Sequence, residues 1–194
     1  MASIPRILAF VGSLRTESFN KKLARLAAEA ARRAGAEVTV LDLRDVPLPV
    51  FDQDLEAREG LPANARRLKD AFAAHDGLLI ASPEYNSSVT AVLKNTIDWV
   101  SRKASPTEAN LASFAGKTAA IMSASPGGLG GLRGLVHLRA ILGNSQVLVL
   151  PDQIAIAKAH EAFGPDGTLK DPLLQATVET IAQRLVSTTA KLRS

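Results

Sequence analysis

The feature that most constrains this chain is a regular alternation. Five short apolar runs are separated by stretches long enough to be helices. Ile7 to Val11 ends at Gly12, and Glu37 to Leu43 is β-branched. Gly77 to Ala81 and Thr118 to Ser123 are small and apolar, and Val147 to Leu150 is closed by Pro151. Runs this short, with little polar alternation, suit parallel strands covered on both faces. Parallel strands need crossovers, and crossovers are usually helices. The intervening segments have the matching periodicity. After Ser18, the residues Leu23, Leu26, Ala27, Ala30 and Ala34 recur at helical spacing until Gly35. Further helices are expected over Ala63 to Ala74, Val89 to Arg102, about Leu129 to Leu142, and Leu173 to Leu192. The expected fold class is α/β, a three-layer sandwich on a five-stranded parallel sheet of order 2-1-3-4-5. A length of 194 residues suits a single domain spanning 1–194.

Three connections lack a helical pattern. Residues 47–62 hold three prolines and the acids Asp52, Asp54, Glu56 and Glu59, and read as a solvated excursion or a flap beside the site. Residues 103–116 are a polar connection. Residues 152–170 read mostly as loop, with a turn at Gly164-Pro165-Asp166-Gly167.

Composition removes several classes of function. There is no cysteine, hence no disulfide, no thiolate nucleophile and no thiolate metal site. His75, His137 and His160 are scattered, without metal-ligand spacing, and read as surface or helix-end residues, so no metal is expected. The net charge of +4 is spread through the helices with no basic block interleaved with aromatics, which argues against nucleic acid. The first apolar run is too short for a signal segment or a membrane span, so no membrane is expected and the cytoplasm is the expected compartment.

In a sheet of this order, ligands bind beyond the carboxyl ends of the strands, at the switch point between the first and third. The loops after those two strands are polar. The first, Gly12-Ser13-Leu14-Arg15-Thr16-Glu17-Ser18-Phe19-Asn20, precedes a helix N-terminus, whose free amides favour a phosphate. Ser13, Ser18 and Asn20 add donors and Arg15 adds a charge. The same residues also read as a plain helix cap with a solvated arginine. The second, Ser82-Pro83-Glu84-Tyr85-Asn86-Ser87-Ser88, carries the only tyrosine. Pro83 and Tyr85 offer surface to a flat ring, and the amides of Glu84, Tyr85 and Asn86 offer donors to its edge, as a flavin requires. A turn capped by Tyr85 is the plainer alternative. A third loop, Ser123-Ala124-Ser125-Pro126-Gly127-Gly128, flanks the same crevice. Neither a Walker pattern nor a dinucleotide fingerprint is present.

Three motifs in order carry a resemblance: Gly12-Ser13-Leu14-Arg15-x-x-Ser18-x-Asn20, Ser82-Pro83-Glu84-Tyr85-Asn86-x-Ser88, and Leu93-Lys94-Asn95-x-Ile97-Asp98-Trp99. Together they resemble the NAD(P)H-dependent FMN reductase family. Gly130-Gly131-Leu132-Arg133 followed by His137-Leu138-Arg139 is similar to its chromate, quinone and azo-dye reductase branch, with Val136 where that branch often has tyrosine. The resemblance implies a flavodoxin-like fold with non-covalent FMN, and NADPH or NADH as co-substrate. It implies that Ser13, Arg15, Ser18 and Asn20 hold the phosphate. It places Pro83, Glu84, Tyr85 and Asn86 along the ring, with Ser123 and Ser125 near it. It implies hydride passing from NAD(P)H through FMN to a small acceptor such as a quinone, a flavin, an azo compound or a metal oxyanion. It further implies a homodimer or homotetramer. Tyr85 and Arg133 are candidate catalytic residues, Arg133 as a group approaching a neighbouring subunit. The face of Leu93, Ile97, Trp99 and Val100 reads as core or as a dimer seam. One rival is a flavodoxin-type electron carrier serving protein partners. Another is a receiver module, which needs an aspartate where this chain has Ser82.

Overall fold

The structure is a computed structural model and describes residues 4–193. Its strands are β1 (Arg6–Val11), β2 (Glu37–Leu41), β3 (Gly77–Ala81), β4 (Thr118–Ala124) and β5 (Leu148–Ile156). The helices are α1 (Phe19–Arg33), α2 (Gln53–Glu59), α3 (Ala63–Ala73), α4 (Ala91–Val100), α5 (Leu132–Asn144), α6 (Ala159–Ala162) and α7 (Pro172–Leu192). All strand pairs are parallel, in the order β2-β1-β3-β4-β5. This is the flavodoxin-like arrangement the alternation predicts.

Alternate side chains of each strand feed opposite faces. Ile7, Ala9 and Val11 of β1 and Leu79 of β3 pack with α1 and α7. Leu8 and Phe10, with Leu78 and Ile80, pack against α3, α4 and α5. Alanines at 24, 27, 28, 30 and 31 give α1 a low-relief face, which lets the helix lie close to the sheet. On the other face, Phe10, Phe72 and Phe114 form a chain of tilted rings with centroids 5.2–5.5 Å apart. Full burial of each such side chain contributes roughly 2 kcal/mol. Leu93, Ile97, Trp99 and Val100 are all buried within the chain, so that face of α4 is core.

Two expectations need correction. Pro151 does not close the fifth strand, because β5 continues through it to Ile156. As the edge of the sheet, β5 has one side that needs no ladder donor, so a proline is tolerated there. The register slips at that point: Ala119 pairs with Val149 but Ile121 pairs with Gln153. Arg139 covers the bulge, donating to the carbonyls of Val149, Leu150 and Pro151 and to Gln153 Oε1. Residues 152–170 are accordingly strand and short helix over much of their length.

The stretch 47–62 is not irregular throughout. Asp52 caps α2, accepting from the amides of Asp54 and Leu55. Nor does it float in solvent. The Pro49 carbonyl accepts from Asn95 Nδ2 and Trp99 Nε1, and Asn95 Oδ1 accepts from the Phe51 amide. The Phe51 ring meets Trp99 edge-on at 5.0 Å, and Arg102 pairs with Glu56 at 2.8 Å. The excursion is thus clipped onto α4.

His75 is a helix-end residue, directly after the C-cap of α3. It is buried, with Nε2 2.8 Å from Thr39 Oγ1 and Nδ1 2.6 Å from the Ala71 carbonyl.

Candidate functional site

The loops after β1, β3 and β4 converge at the carboxyl edge of the sheet. Direct bonds join them. The Gly12 amide donates to the Ala81 carbonyl at 2.9 Å, and the Gly12 carbonyl accepts from Thr90 Oγ1 at 2.7 Å. The Ser82 amide donates to the Met122 carbonyl at 2.9 Å. Gly12 is required by this crowding, since a Cβ there would stand 2.7 Å from Ser82 Oγ and 3.1 Å from Leu93 Cβ.

The first loop leaves α1 open at its positive end. Ser18 occupies the N-cap position in extended backbone, yet its hydroxyl makes no capping bond. Asp42, Asp52, Thr90 and Asp171, at the starts of other helical segments, all do. Ser18 is nevertheless buried, as is Ser13, whose Oγ accepts from the Arg15 amide at 3.3 Å. No acidic residue lies in the first turn of α1. Among the described residues the Arg15 guanidinium has no carboxylate partner, and it is exposed. Free amides, an idle hydroxyl on a largely buried serine and a cation without a carboxylate partner suit an anion. Asn20 differs: it is buried and bonded at both polar ends to Ala124, with Nδ2 2.8 Å from the carbonyl and Oδ1 3.0 Å from the amide.

The second loop is a two-residue hairpin. Tyr85 and Ser88 exchange both backbone hydrogen bonds at 3.0 Å, across Asn86 and Ser87 at φ +49° and +65°. Two successive residues of positive φ make the turn that follows the right-handed twist of paired strands. The Tyr85 amide is therefore already used, and its side chain stands half exposed at the rim. Pro83 is half-buried.

Glu84 plays a part that the sequence did not reveal. Its carboxylate accepts from the Arg133 and Gly134 amides at 3.0 and 3.3 Å, so it caps α5 from another loop. Arg133 Nε donates to the same carboxylate at 2.8 Å. Burial pushes the Glu84 carboxyl up, but these donors outweigh burial and hold it below the usual range. His137 Nδ1 lies 2.9 Å from Ser88 Oγ, a second tie between the hairpin and α5. Arg133 is thus ion-paired with Glu84, with its side chain still largely exposed.

Next to the third loop, at the end of β4, Ser123 is fully buried. Its Oγ has no hydrogen-bond partner among the described residues. Gly131, at φ +95°, lies against it, and a Cβ there would stand 1.9 Å from that oxygen. Ser125 is half-buried, and its Oγ accepts from the Gly127 amide at 3.4 Å. The excursion adjoins this region. Leu14, Val46, Pro47, Leu48, Val92 and Thr96 line a mostly apolar hollow of about 380 Å³ beside the first loop.

An orphaned buried hydroxyl, an uncapped helix and three fused loops fit a group with an anionic tail and a polar-edged ring, as FMN has. Fold and site together define a flavodoxin-like flavoprotein reductase. A family profile described as NADPH-dependent FMN reductase matches residues 5–161, and the chain belongs to that family. It is 35% identical over 189 residues to an NAD(P)H-dependent FMN reductase of Pseudomonas aeruginosa, covering 97% of both chains. It is 40% identical over 168 residues to a quinone reductase of Escherichia coli, covering 86% of this chain and 81% of that one. Among solved structures, FerB, a flavoenzyme NAD(P)H:(acceptor) oxidoreductase from Paracoccus denitrificans, superposes with a TM-score of 0.81. That likeness is at 29% identity and covers 97% of this chain and 98% of that one.

Proposed function

We propose that this chain is an FMN-dependent NAD(P)H oxidoreductase that delivers reducing equivalents to small acceptors: quinones, flavins, azo compounds and metal oxyanions. The observation that carries the reading is the open N-terminus of α1, where Ser18 makes no capping bond and the exposed Arg15 of the same loop has no carboxylate partner among the described residues. FMN, when bound, supplies the hydride chemistry. The first loop would hold its phosphate with Ser13, Arg15, Ser18 and the α1 amides. Pro83 and the Tyr85 hairpin would form one wall of the ring's seat, and Ser123 and Ser125 would face its far side. Glu84 would act through the hairpin, which it fastens to α5, rather than through its own carboxylate. Tyr85, at the exposed rim, is the side chain best placed to meet an incoming nicotinamide or acceptor. No protein acid or base is required, because solvent reaches the rim.

The protein would work as one FMN-binding domain over 1–194, in the cytoplasm, as a homodimer or homotetramer. No described helix is long and apolar enough to cross a membrane. An electron carrier on the same fold is the rival reading. It is disfavoured by the basic charge of this chain, since carriers of that kind tend to be acidic. Purified protein is expected to carry, or take up, one FMN per chain and to oxidise NADH or NADPH when a quinone is added. FMN-loaded protein that oxidises neither nicotinamide would sink the enzyme reading and favour the carrier.

A further inference from the structure

We infer that Asn20 is a positioning residue: a strut that fixes the span between the first and third loops. The inference rests on the FMN reading above and refines it. In the sheet, β3 and β4 stay in register to Ala81 and Met122, after which β3 turns away into the second loop. β4 runs on to Ala124, paired on its other side with Ile156 of β5. The edge of β4 that faced β3 is therefore left without a strand at Ala124. Asn20, in the first turn of α1, fills the gap. Its carboxamide donates to the Ala124 carbonyl at 2.8 Å and accepts from the Ala124 amide at 3.0 Å, as a neighbouring peptide would. The residue is only 2% exposed. One side chain thus joins the helix that receives the anionic tail to the strand whose loop receives the ring, 104 positions away in sequence.

A ligand that spans both seats gains affinity only if they are held at the right separation, as with two linked binding sites. A ligand that fills one seat is indifferent to the separation. The strut therefore acts on FMN and not on its parts.

The test compares wild type with Asn20→Ala and Asn20→Asp. In the apo proteins, amide hydrogen exchange reports the Ala124 N–H. Titration gives affinities for FMN and for lumiflavin, which has the ring without the tail. Phosphorus NMR of bound FMN reports the surroundings of the phosphate. The expected results are faster exchange at Ala124 by about tenfold or more and FMN affinity lower by about tenfold. Lumiflavin affinity should stay within about twofold, and the phosphorus resonance of the FMN still bound should stay at its wild-type position. A displaced phosphorus resonance with unchanged exchange at Ala124 would make Asn20 a direct phosphate ligand and overturn the strut. Should neither variant fold, the Asn20 side-chain amide of wild-type apo protein decides. A side-chain proton protected from exchange supports the strut, and free exchange of both protons overturns it. Wild-type protein that never takes up FMN would bring down the reductase reading and the strut together. Wild type that binds FMN, with contrary results at Asn20, brings down the strut alone.

Discussion

Ser123 shows what a single residue discloses here. A buried hydroxyl without a partner raises the free energy of the empty protein, and removing it relieves that penalty. Ser123→Ala is expected to leave apo stability unchanged or raise it by about 1 kcal/mol, while weakening FMN binding. Thermal melts with and without FMN check both halves, and a clear loss of apo stability would contradict the assignment. Gly131→Ala should do the opposite, lowering apo stability by ~2 kcal/mol or more, because the added methyl meets the Ser123 oxygen at a positive φ. Ser18 and Thr90 form a second contrast. Thr90 Oγ1 caps α4 and also binds the Gly12 carbonyl, so Thr90→Ala should cost about 1 kcal/mol or more of stability. Ser18 caps nothing, so Ser18→Ala should cost little stability but about tenfold in FMN affinity. Chemical denaturation and flavin titration of the two variants separate these outcomes. Ser13 and Ser18 stood out by residue type and spacing, and Ser123 and Ser125 through the family resemblance. Glu84 and Asn20 stood out as candidates but not by their partners, because Arg133 and Ala124 are remote in sequence and no local pattern announces such pairings.

Among the elements, the strands that pair on both sides were the legible ones. β3 is apolar throughout, β1 and β4 are largely so, and all three lie where their runs predict. The edges were harder. β2 leaves Val40 and Thr39 exposed, and β5 admits a proline and a bulge, so neither shows an unbroken apolar run. α2 escaped notice because none of its residues is buried, so it has no apolar stripe to reveal its period. The join between α1 and β2 carries a pH dependence. Burial pushes the Asp42 carboxyl up, but the Lys21 ammonium at 2.7 Å, with the amide and guanidinium of Arg44, pulls it down to about 2 from 3.8. A depressed carboxylate contributes stability that is present above its unfolded value and is lost as pH falls through its folded value. Asp42, which stays partly in contact with solvent, should therefore contribute about 1 kcal/mol at neutral pH after screening, lost as pH falls from about 4 towards 2. Asp42→Asn should be less stable at pH 7 and show a shallower loss over that range. Urea denaturation across the acid limb measures the difference, and parallel curves for the two proteins would contradict it.

At the scale of the molecule, three loops that belong to distant parts of the chain are bound to one another before any ligand arrives. The first is fastened to β3 through Gly12 and to β4 through Asn20, and the hairpin is fastened to α5 through Glu84. A site assembled in this way is coupled to the fold as a whole, and its ligand should stabilise the whole fold. For a ligand that binds only the native state, free ligand at a hundred times its dissociation constant adds about 2.7 kcal/mol to global stability. FMN at that excess should therefore raise the unfolding midpoint seen by far-ultraviolet dichroism and by Trp99 fluorescence by the same amount. Trp99 is a fair reporter because it is fully buried beneath the excursion, on α4. Lumiflavin at the same multiple of its own dissociation constant should give the same increment, since the linkage depends on occupancy and not on chemistry. Unequal increments, or a rise seen by one probe alone, would mean that the loops fold and unfold apart from the sheet. A preassembled site excludes that behaviour, because freeing any one of these loops also breaks the bonds by which it holds the others.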